Sequence, residues 1–117
     1  MKPFDRVPIG NTGVYVPRLG LGTAPLSGMT LGSGLFGGTP HEVALGILNR
    51  AQELGIGYID TAPLYGAGRA EARFGRSNFT TAPRDSFVIS TKIGRILQPV
   101  VGGLQPESDP DGIGDLV

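Results

Sequence analysis

Residues 57–66 read Gly-Tyr-Ile-Asp-Thr-Ala-Pro-Leu-Tyr-Gly, and they lie at the centre of an alternating pattern of strands and helices. Their first four residues form a short apolar run ending on an aspartate, which predicts a buried strand. Helical patterns flank this run at residues 39–55 and 68–76, and further strands are predicted at residues 18–23 and 87–92. The order is β–α–β–α–β, and its strands do not alternate strictly between apolar and polar residues. This indicates parallel strands joined by helical crossovers, which is the α/β class.

The first predicted helix has clear signals at both ends. Thr39 suits the N-cap, Pro40 the first helical position, and Glu42 completes a capping box. Gly55 stands where a glycine is expected just after a helix. Apolar residues recur at helical spacing and predict one core-facing side, widened by Ala44 and Leu48. The residues at this spacing are Val43, Ile47, Ala51 and Leu54.

The ends of the chain have weaker patterns. Residues 7–9 and 14–16 are apolar runs separated by an Asn/Gly-rich turn, which predicts a β-hairpin. Residues 25–38 form a long glycine-rich loop. Residues 98–117 contain three prolines and four acidic residues but no basic one, so they are predicted to be an acidic loop or disordered tail. We therefore divide the chain into a structured part, residues 1–97, and this tail.

Length and composition exclude several classes of protein. The 117 residues suit one small domain and are far fewer than the about 250 of an eight-stranded α/β barrel. The chain has no cysteine, which excludes disulfides, zinc–thiolate sites and thiol catalysis, and no metal site is predicted. Ten basic and ten acidic residues give no field favouring nucleic acid or an anionic membrane. Without a membrane-length apolar run or a secretory leader, we expect a cytoplasmic protein.

Three ionisable side chains are predicted to converge at one edge of the sheet. Asp60 ends the second parallel strand, Lys92 ends the third, and Tyr65 lies in the loop five residues after Asp60. The carboxyl ends of parallel strands meet at the same rim, where α/β proteins place their ligand groups. A nearby ammonium favours the phenolate of a tyrosine, and a carboxylate keeps that ammonium charged and oriented. Such a trio could protonate a carbonyl oxygen while a hydride arrives at carbon.

These residues resemble the aldo-keto reductase family over about residues 6–97. The resemblance lies in residues 19–23 (Leu-Gly-Leu-Gly-Thr), in residues 58–66 and in the Ser-Thr-Lys of residues 90–92. Residues 62–66, taken with the Lys-Ile-Gly-Arg that begins at Lys92, are most similar to the aldose- and pyridoxal-dehydrogenase-like branch.

The resemblance implies an NAD(P)-dependent oxidoreductase, acting on a small carbonyl or sugar substrate with NADP or NAD. It implies a partial (β/α)8 TIM barrel, here an N-terminal hairpin followed by about three β/α units. Tyr65 would be the general acid and base, tuned by Lys92 and Asp60. Gly22, Thr23 and Asp60 would approach the nicotinamide end of the cofactor.

The chain also departs from the family pattern. The family's fourth catalytic residue is a histidine at the end of the fourth strand, whereas the single histidine here, His41, begins a helix. The later strands that grip the pyrophosphate and adenosine of the cofactor do not fit within 117 residues. We therefore expect an N-terminal part of a longer enzyme that is inactive alone. The arginines at 69, 73 and 76 are expected to form a solvated helix face, with a phosphate contact as the alternative.

Other interpretations remain open at this point. Residues 32–37 match the dinucleotide fingerprint GxGxxG, followed by a helix and by a strand ending on Asp60, as in a Rossmann unit. The spacing is poor, because Gly32 lies nine positions after Thr23, and this interpretation gives Tyr65 and Lys92 no role. It predicts a tight turn at Gly32. A second alternative is a non-catalytic remnant or binding subunit, which would bind cofactor without turnover. Asp60, Tyr65 and Lys92 could also be a turn cap, a packing residue and a solvated lysine.

Overall fold

The computed structural model describes residues 2–28 and 39–94. The predicted order of strands and helices is confirmed, although most elements are shorter than their sequence patterns. Residues 32–37, with the GxGxxG pattern, and the predicted tail at 98–117 lie outside the described residues. The elements are β1 (Arg6–Pro8), β2 (Tyr15–Pro17), β3 (Leu21–Gly22), α1 (His41–Glu53), β4 (Tyr58–Asp60), α2 (Arg69–Phe74) and β5 (Val88–Ser90), with 3-10 turns at Ala24–Ser27, Asn78–Thr81 and Arg84–Ser86.

The predicted hairpin and the parallel sheet are both present. β1 pairs antiparallel with β2, with Val7 opposite Val16. β3, β4 and β5 form a separate parallel sheet in that order. In its register Gly22 lies opposite Asp60, and Asp60 lies opposite Ser90. The carboxyl ends of the three strands are therefore level, which brings the segments after them to one rim.

The start of α1 differs from the predicted capping box. The helix begins at His41, and Pro40 occupies the N-cap position without a side-chain cap. The Thr39 hydroxyl instead donates to the carbonyl of Pro25 at 2.7 Å, so it joins the two ends of the glycine-rich connection rather than capping the helix. The C-terminal prediction is confirmed: Gly55 has φ of +80°, and its N–H donates to Gln52 O.

The buried face of α1 is narrower than predicted and rotated from the predicted one. Ala44, Leu48 and Ala51 are buried, whereas Val43 and Ile47 are exposed. The exposed side borders an open apolar groove of about 400 Å³. We call it the α1 groove; it is lined by Leu21, Val43, Gly46, Ile47, Arg50, Ala51, Leu54 and Ile56. Helical spacing identified the apolar positions but could not tell which of them the sheet covers.

The core lies between the sheet and the two helices. Three phenylalanines, Phe74, Phe79 and Phe87, pack with ring centroids 5.2 to 5.9 Å apart, two of the three pairs being edge-on. Leu48 of α1 and Ile59 of β4 belong to the same buried cluster. Aromatic pairs at such distances stabilise a core beyond the area they bury. This cluster holds α2, and with it the loop before α2, against the sheet.

The expectation of a solvated arginine face on α2 is wrong for two of its three residues. Arg69 and Arg73 are 1% and 2% exposed, and only Arg76 is exposed. Arg73 Nη1 donates to the carbonyl oxygens of Leu26 and Thr39, each at 2.8 Å. The guanidinium of Arg73 therefore satisfies backbone acceptors at both ends of the connection between β3 and α1, which explains its burial.

Within the described ranges, no helix is long and apolar enough to cross a bilayer.

Candidate active site

The loop after β4 carries Tyr65 in a series of tight turns. Tyr65 N–H donates to Ala62 O at 3.2 Å, and Tyr65 O accepts from Ala70 N–H in α2. Gly66 has φ of +63°, a conformation that favours glycine. A Cβ at Gly66 would also lie 2.5 Å from the carbonyl oxygen of Ser27. Glycine is therefore required at position 66, because this backbone packs directly against the turn after β3.

Asp60 and Lys92 form an ion pair across the ends of β4 and β5. Lys92 Nζ lies 3.1 Å from Asp60 Oδ2 and also donates to Thr61 O at 3.0 Å. The two side chains are 43% and 51% exposed, so the pair is open to solvent. An exposed pair contributes little to stability, but these bonds fix the direction of the ammonium.

The same ammonium faces the ring of Tyr65. Lys92 Nζ lies 4.9 Å from the ring centroid, within the range of a cation–π interaction. Tyr65 is half-buried. The three side chains that the sequence placed at one rim, Asp60, Tyr65 and Lys92, are therefore brought together in the structure.

The electrostatics of the pair keep both members charged. The Ser90 hydroxyl, which donates to Asp60, is the largest cause lowering the pKa of Asp60; partial burial opposes it and Lys92 adds to it. The pKa of Lys92 is raised, first by its hydrogen bond to Asp60 and then by the Tyr65 hydroxyl. At neutral pH the site thus holds a carboxylate and an ammonium beside the ring of Tyr65.

The two other predicted residues lie at the same rim. The Thr23 side chain is fully buried, and its hydroxyl lies 3.1 Å from Asp60 O and 2.8 Å from Thr61 Oγ1. Thr23 thereby ties the end of β3 to the end of β4. Gly22 is exposed, and a Cβ placed there would meet nothing within 4 Å. Close packing of the backbone occurs instead at Gly20, where a Cβ would lie 2.7 Å from the Tyr58 ring.

An open apolar cleft of about 230 Å³ adjoins Tyr65 and Lys92. It is lined by Ala62, Pro63, Leu64, Tyr65, Lys92 and Ile93. The cleft therefore places aliphatic side chains next to the Tyr65 ring and the Lys92 ammonium.

Sequence reasoning missed two contributions to this site. Ser90 was grouped only with the motif around Lys92, yet its hydroxyl donates to Asp60 Oδ1 at 2.6 Å. The period of two along a strand could have indicated it, since Ser90 precedes Lys92 by two residues and faces the same side. The backbone acceptor at Thr61 could not have been found, because it depends on the path of the loop.

Comparison with known proteins places the chain in a family. A model of the aldo/keto reductase family matches residues 18–113. The D-threo-aldose 1-dehydrogenase of a Pseudomonas species is 41% identical over 101 residues, which are 86% of this chain and 27% of that protein. The pyridoxal 4-dehydrogenase of Microbacterium luteolum is 37% identical over 97 residues, 83% of this chain and 26% of that protein. The chain thus spans about a quarter of the length of these curated relatives.

A solved structure agrees with these matches. A crystal structure from Pseudomonas aeruginosa, assigned to the aldo-keto reductases, superposes with a TM-score of 0.59 at 35% identity. The match covers 79% of this chain and 34% of that one. The parallel β/α units described above are accordingly a partial (β/α)8 barrel, and the chain belongs to the aldo/keto reductase family.

Proposed function

We propose that this protein is an NAD(P)-dependent oxidoreductase that interconverts a small carbonyl compound and its alcohol, with Tyr65 as general acid and base. The observation that carries the proposal is the position of Lys92 Nζ, 3.1 Å from Asp60 Oδ2 and 4.9 Å from the Tyr65 ring centroid. The names of the relatives, an aldose dehydrogenase and a pyridoxal dehydrogenase, support an aldehyde or aldose as the substrate class.

The residues at the rim fit the nicotinamide end of such a cofactor. Gly22 leaves open space at the end of β3, and the half-exposed carboxylate of Asp60 lies on the neighbouring strand. Gly22 and Asp60 would hold the ring there, with Thr23 fixing the rim beneath them. When bound, the cofactor supplies or accepts the hydride.

The side chains of this chain supply the proton. In reduction, the Tyr65 hydroxyl donates its proton to the carbonyl oxygen, and in oxidation the phenolate takes it back. Lys92 stabilises negative charge on the phenol oxygen during either step, because its ammonium lies against the ring. Asp60 and Thr61 O keep that ammonium in place. The cleft lined by Leu64 and Ile93 receives the rest of the substrate.

The test compares Tyr65→Phe with Tyr15→Phe. Tyr15 lies on β2 and is 54% exposed, so Tyr15→Phe removes a phenol hydroxyl outside the site. Turnover is measured on the longest open reading frame that contains these 117 residues, with NADPH or NADH and small aldehydes, and with the oxidised cofactors and aldoses. Cofactor binding is measured in a separate experiment, which follows the fluorescence of the reduced cofactor.

The expected result separates chemistry from binding. Tyr65→Phe should lower kcat by about a hundredfold or more, the scale of general acid–base catalysis, while the Kd of the cofactor stays within about twofold. Tyr15→Phe should leave both unchanged. A Tyr65→Phe variant with near-normal kcat contradicts the assignment of Tyr65. Cofactor binding with no turnover in the unsubstituted protein contradicts the proposed enzyme and favours a binding subunit.

A further inference from the structure

Asp60 is held from two sides by the neighbouring strand. Its Oδ2 faces Lys92 Nζ, while its Oδ1 accepts a hydrogen bond from Ser90 Oγ at 2.6 Å. Ser90 lies directly opposite Asp60 in the β4–β5 register, and Lys92 lies two residues further along the chain. The sheet register itself therefore places the hydroxyl against the carboxylate, whereas Lys92 must reach back to it from beyond the end of β5.

The Ser90 hydroxyl is itself fixed by a third side chain. A distance of 2.6 Å is typical of a charge-assisted O–H to O⁻ bond, so the single proton of Ser90 is committed to Asp60. Ser90 Oγ also lies 3.2 Å from Tyr58 Oη, whose hydroxyl can then donate to it. Tyr58 in turn packs against Gly20, where no Cβ would fit. A directional chain runs from Tyr58 through Ser90 to Asp60.

We propose that Ser90 is a positioning residue of the site: by holding Asp60 Oδ1 from the neighbouring strand, it fixes the carboxylate that orients Lys92 against Tyr65. This inference rests on the proposed function for its catalytic meaning. The lowered pKa of Asp60, to which the Ser90 bond is the largest contributor, agrees with it. Without Ser90 the carboxylate can rotate about its terminal torsion, and Lys92 keeps only Thr61 O as a fixed acceptor.

The matched control is one residue away. Thr91 also donates its hydroxyl to a carboxylate at 2.6 Å, but that carboxylate is Glu71, outside the site. Thr91→Ala and Ser90→Ala therefore remove equivalent hydrogen bonds from adjacent positions. Ser90→Thr retains the hydroxyl and should restore what Ser90→Ala loses. Ser90→Cys, nearly isosteric and a weaker donor, replaces Ser90→Ala if that variant loses its dispersed NMR spectrum.

Two measurements test the proposal separately from the enzyme assignment. In the 117-residue chain, the NMR titration of the Asp60 carboxyl carbon should move to higher pH in Ser90→Ala, return in Ser90→Thr, and stay unchanged in Thr91→Ala. In the longest reading frame, kcat should fall about tenfold to a hundredfold in Ser90→Ala with little change in KM, the scale of a small misplacement of reacting groups.

The outcomes are distinguishable. An unchanged Asp60 titration in Ser90→Ala and Ser90→Cys overturns the positioning role, whatever the activity does. A shifted titration with unchanged kcat, in an enzyme that Tyr65→Phe inactivates, also overturns it, because Asp60 would then be held for no catalytic purpose. If Tyr65→Phe retains activity, the proposed function fails, while the titration still reports whether Ser90 holds Asp60.

Discussion

Replacing Arg73 with methionine tests whether this buried guanidinium holds the connection between β3 and α1 in place. Arg73 is 2% exposed and donates to the carbonyls of Leu26 and Thr39, each at 2.8 Å. Methionine keeps most of the aliphatic stem and removes the charge and the donors. The buried carbonyl of Leu26 would lose this bond to Arg73, while that of Thr39 lies in a partly exposed region and can turn to water.

The expected loss follows from these two bonds. A hydrogen bond to a charged group contributes about 1.5–3 kcal/mol, and a buried acceptor left unpaired costs about 1–3 kcal/mol. Removing a buried charge also relieves its desolvation cost, which offsets part of this loss. We expect a net destabilisation of about 2–3 kcal/mol. For a urea m-value of about 1–2 kcal/mol per molar, the unfolding midpoint falls by about 1–3 M.

Urea titration followed by circular dichroism at 222 nm measures this shift. Arg76→Met is the control, since Arg76 is exposed in the turn that follows α2, and it should change the free energy of unfolding by less than about 0.5 kcal/mol. The stability of Arg73→Lys should lie between that of Arg73→Met and that of the unsubstituted chain, because one ammonium cannot reproduce the several donors of a planar guanidinium. A methionine variant as stable as the unsubstituted chain would show that the guanidinium contributes nothing beyond its stem.

Three further predictions concern the site and its supporting loop. The pKa of Asp60 is lowered from 3.8 on folding, so the contribution of its carboxylate to stability is present above pH 3.8 and is lost as the pH falls through the folded pKa. Asp60→Asn should therefore lower the urea midpoint at pH 7 but not at a pH below the folded pKa of Asp60. The pKa of Lys92 is raised from 10.5, so Lys92→Met should cause a small destabilisation below pH 10.5 that shrinks as the pH rises through the folded pKa. An effect of the same size below and above pH 10.5 would contradict the pairing. Gly66→Ala introduces both a positive-φ strain and a contact 2.5 Å from Ser27 O, whereas Gly13→Ala, at φ of +76°, introduces the strain alone. Gly66→Ala should therefore lower the free energy of unfolding by over about 1 kcal/mol more than Gly13→Ala does. Equal losses in the two variants would rule out the contact.

The fold could be predicted from local patterns because each element carries its own signal. The apolar run at residues 57–60, the glycine at 55 and the apolar strand around Ile89 indicated alternating parallel strands and helices, as observed. The errors arose where a side chain that a local pattern assigns to one role instead bonds to a group distant in the sequence. The hydroxyl of Thr39 bonds to Pro25 O, fourteen residues away, instead of capping α1. Arg73 is buried because it donates to two backbone carbonyls, and the local pattern could not show this since these acceptors lie 34 and 47 residues away in the sequence.

The site was predictable to the extent that strand ends define a rim. Asp60 ends β4, and Lys92 follows β5 by two residues at the same rim, from where its Nζ reaches back to within 3.1 Å of Asp60 Oδ2. Tyr65 was placed by its loop and by family resemblance, and the structure puts its ring beside Lys92. The shielding of Thr23 inside the rim could not be inferred, because it depends on a hydroxyl pair with Thr61, 38 residues away.

The α1 groove has a practical consequence for handling this polypeptide. Val43, Ile47 and Leu54 are 51%, 40% and 47% exposed, and they line the groove together with Leu21 of the sheet. Contiguous exposed aliphatic surface of this kind promotes self-association, and the net charge of zero provides no long-range repulsion between molecules. Colloidal behaviour, more than conformational free energy, will set the concentration at which spectra can be recorded. Dilute samples at a pH away from the isoelectric point near 6.5 are accordingly the conditions in which to begin.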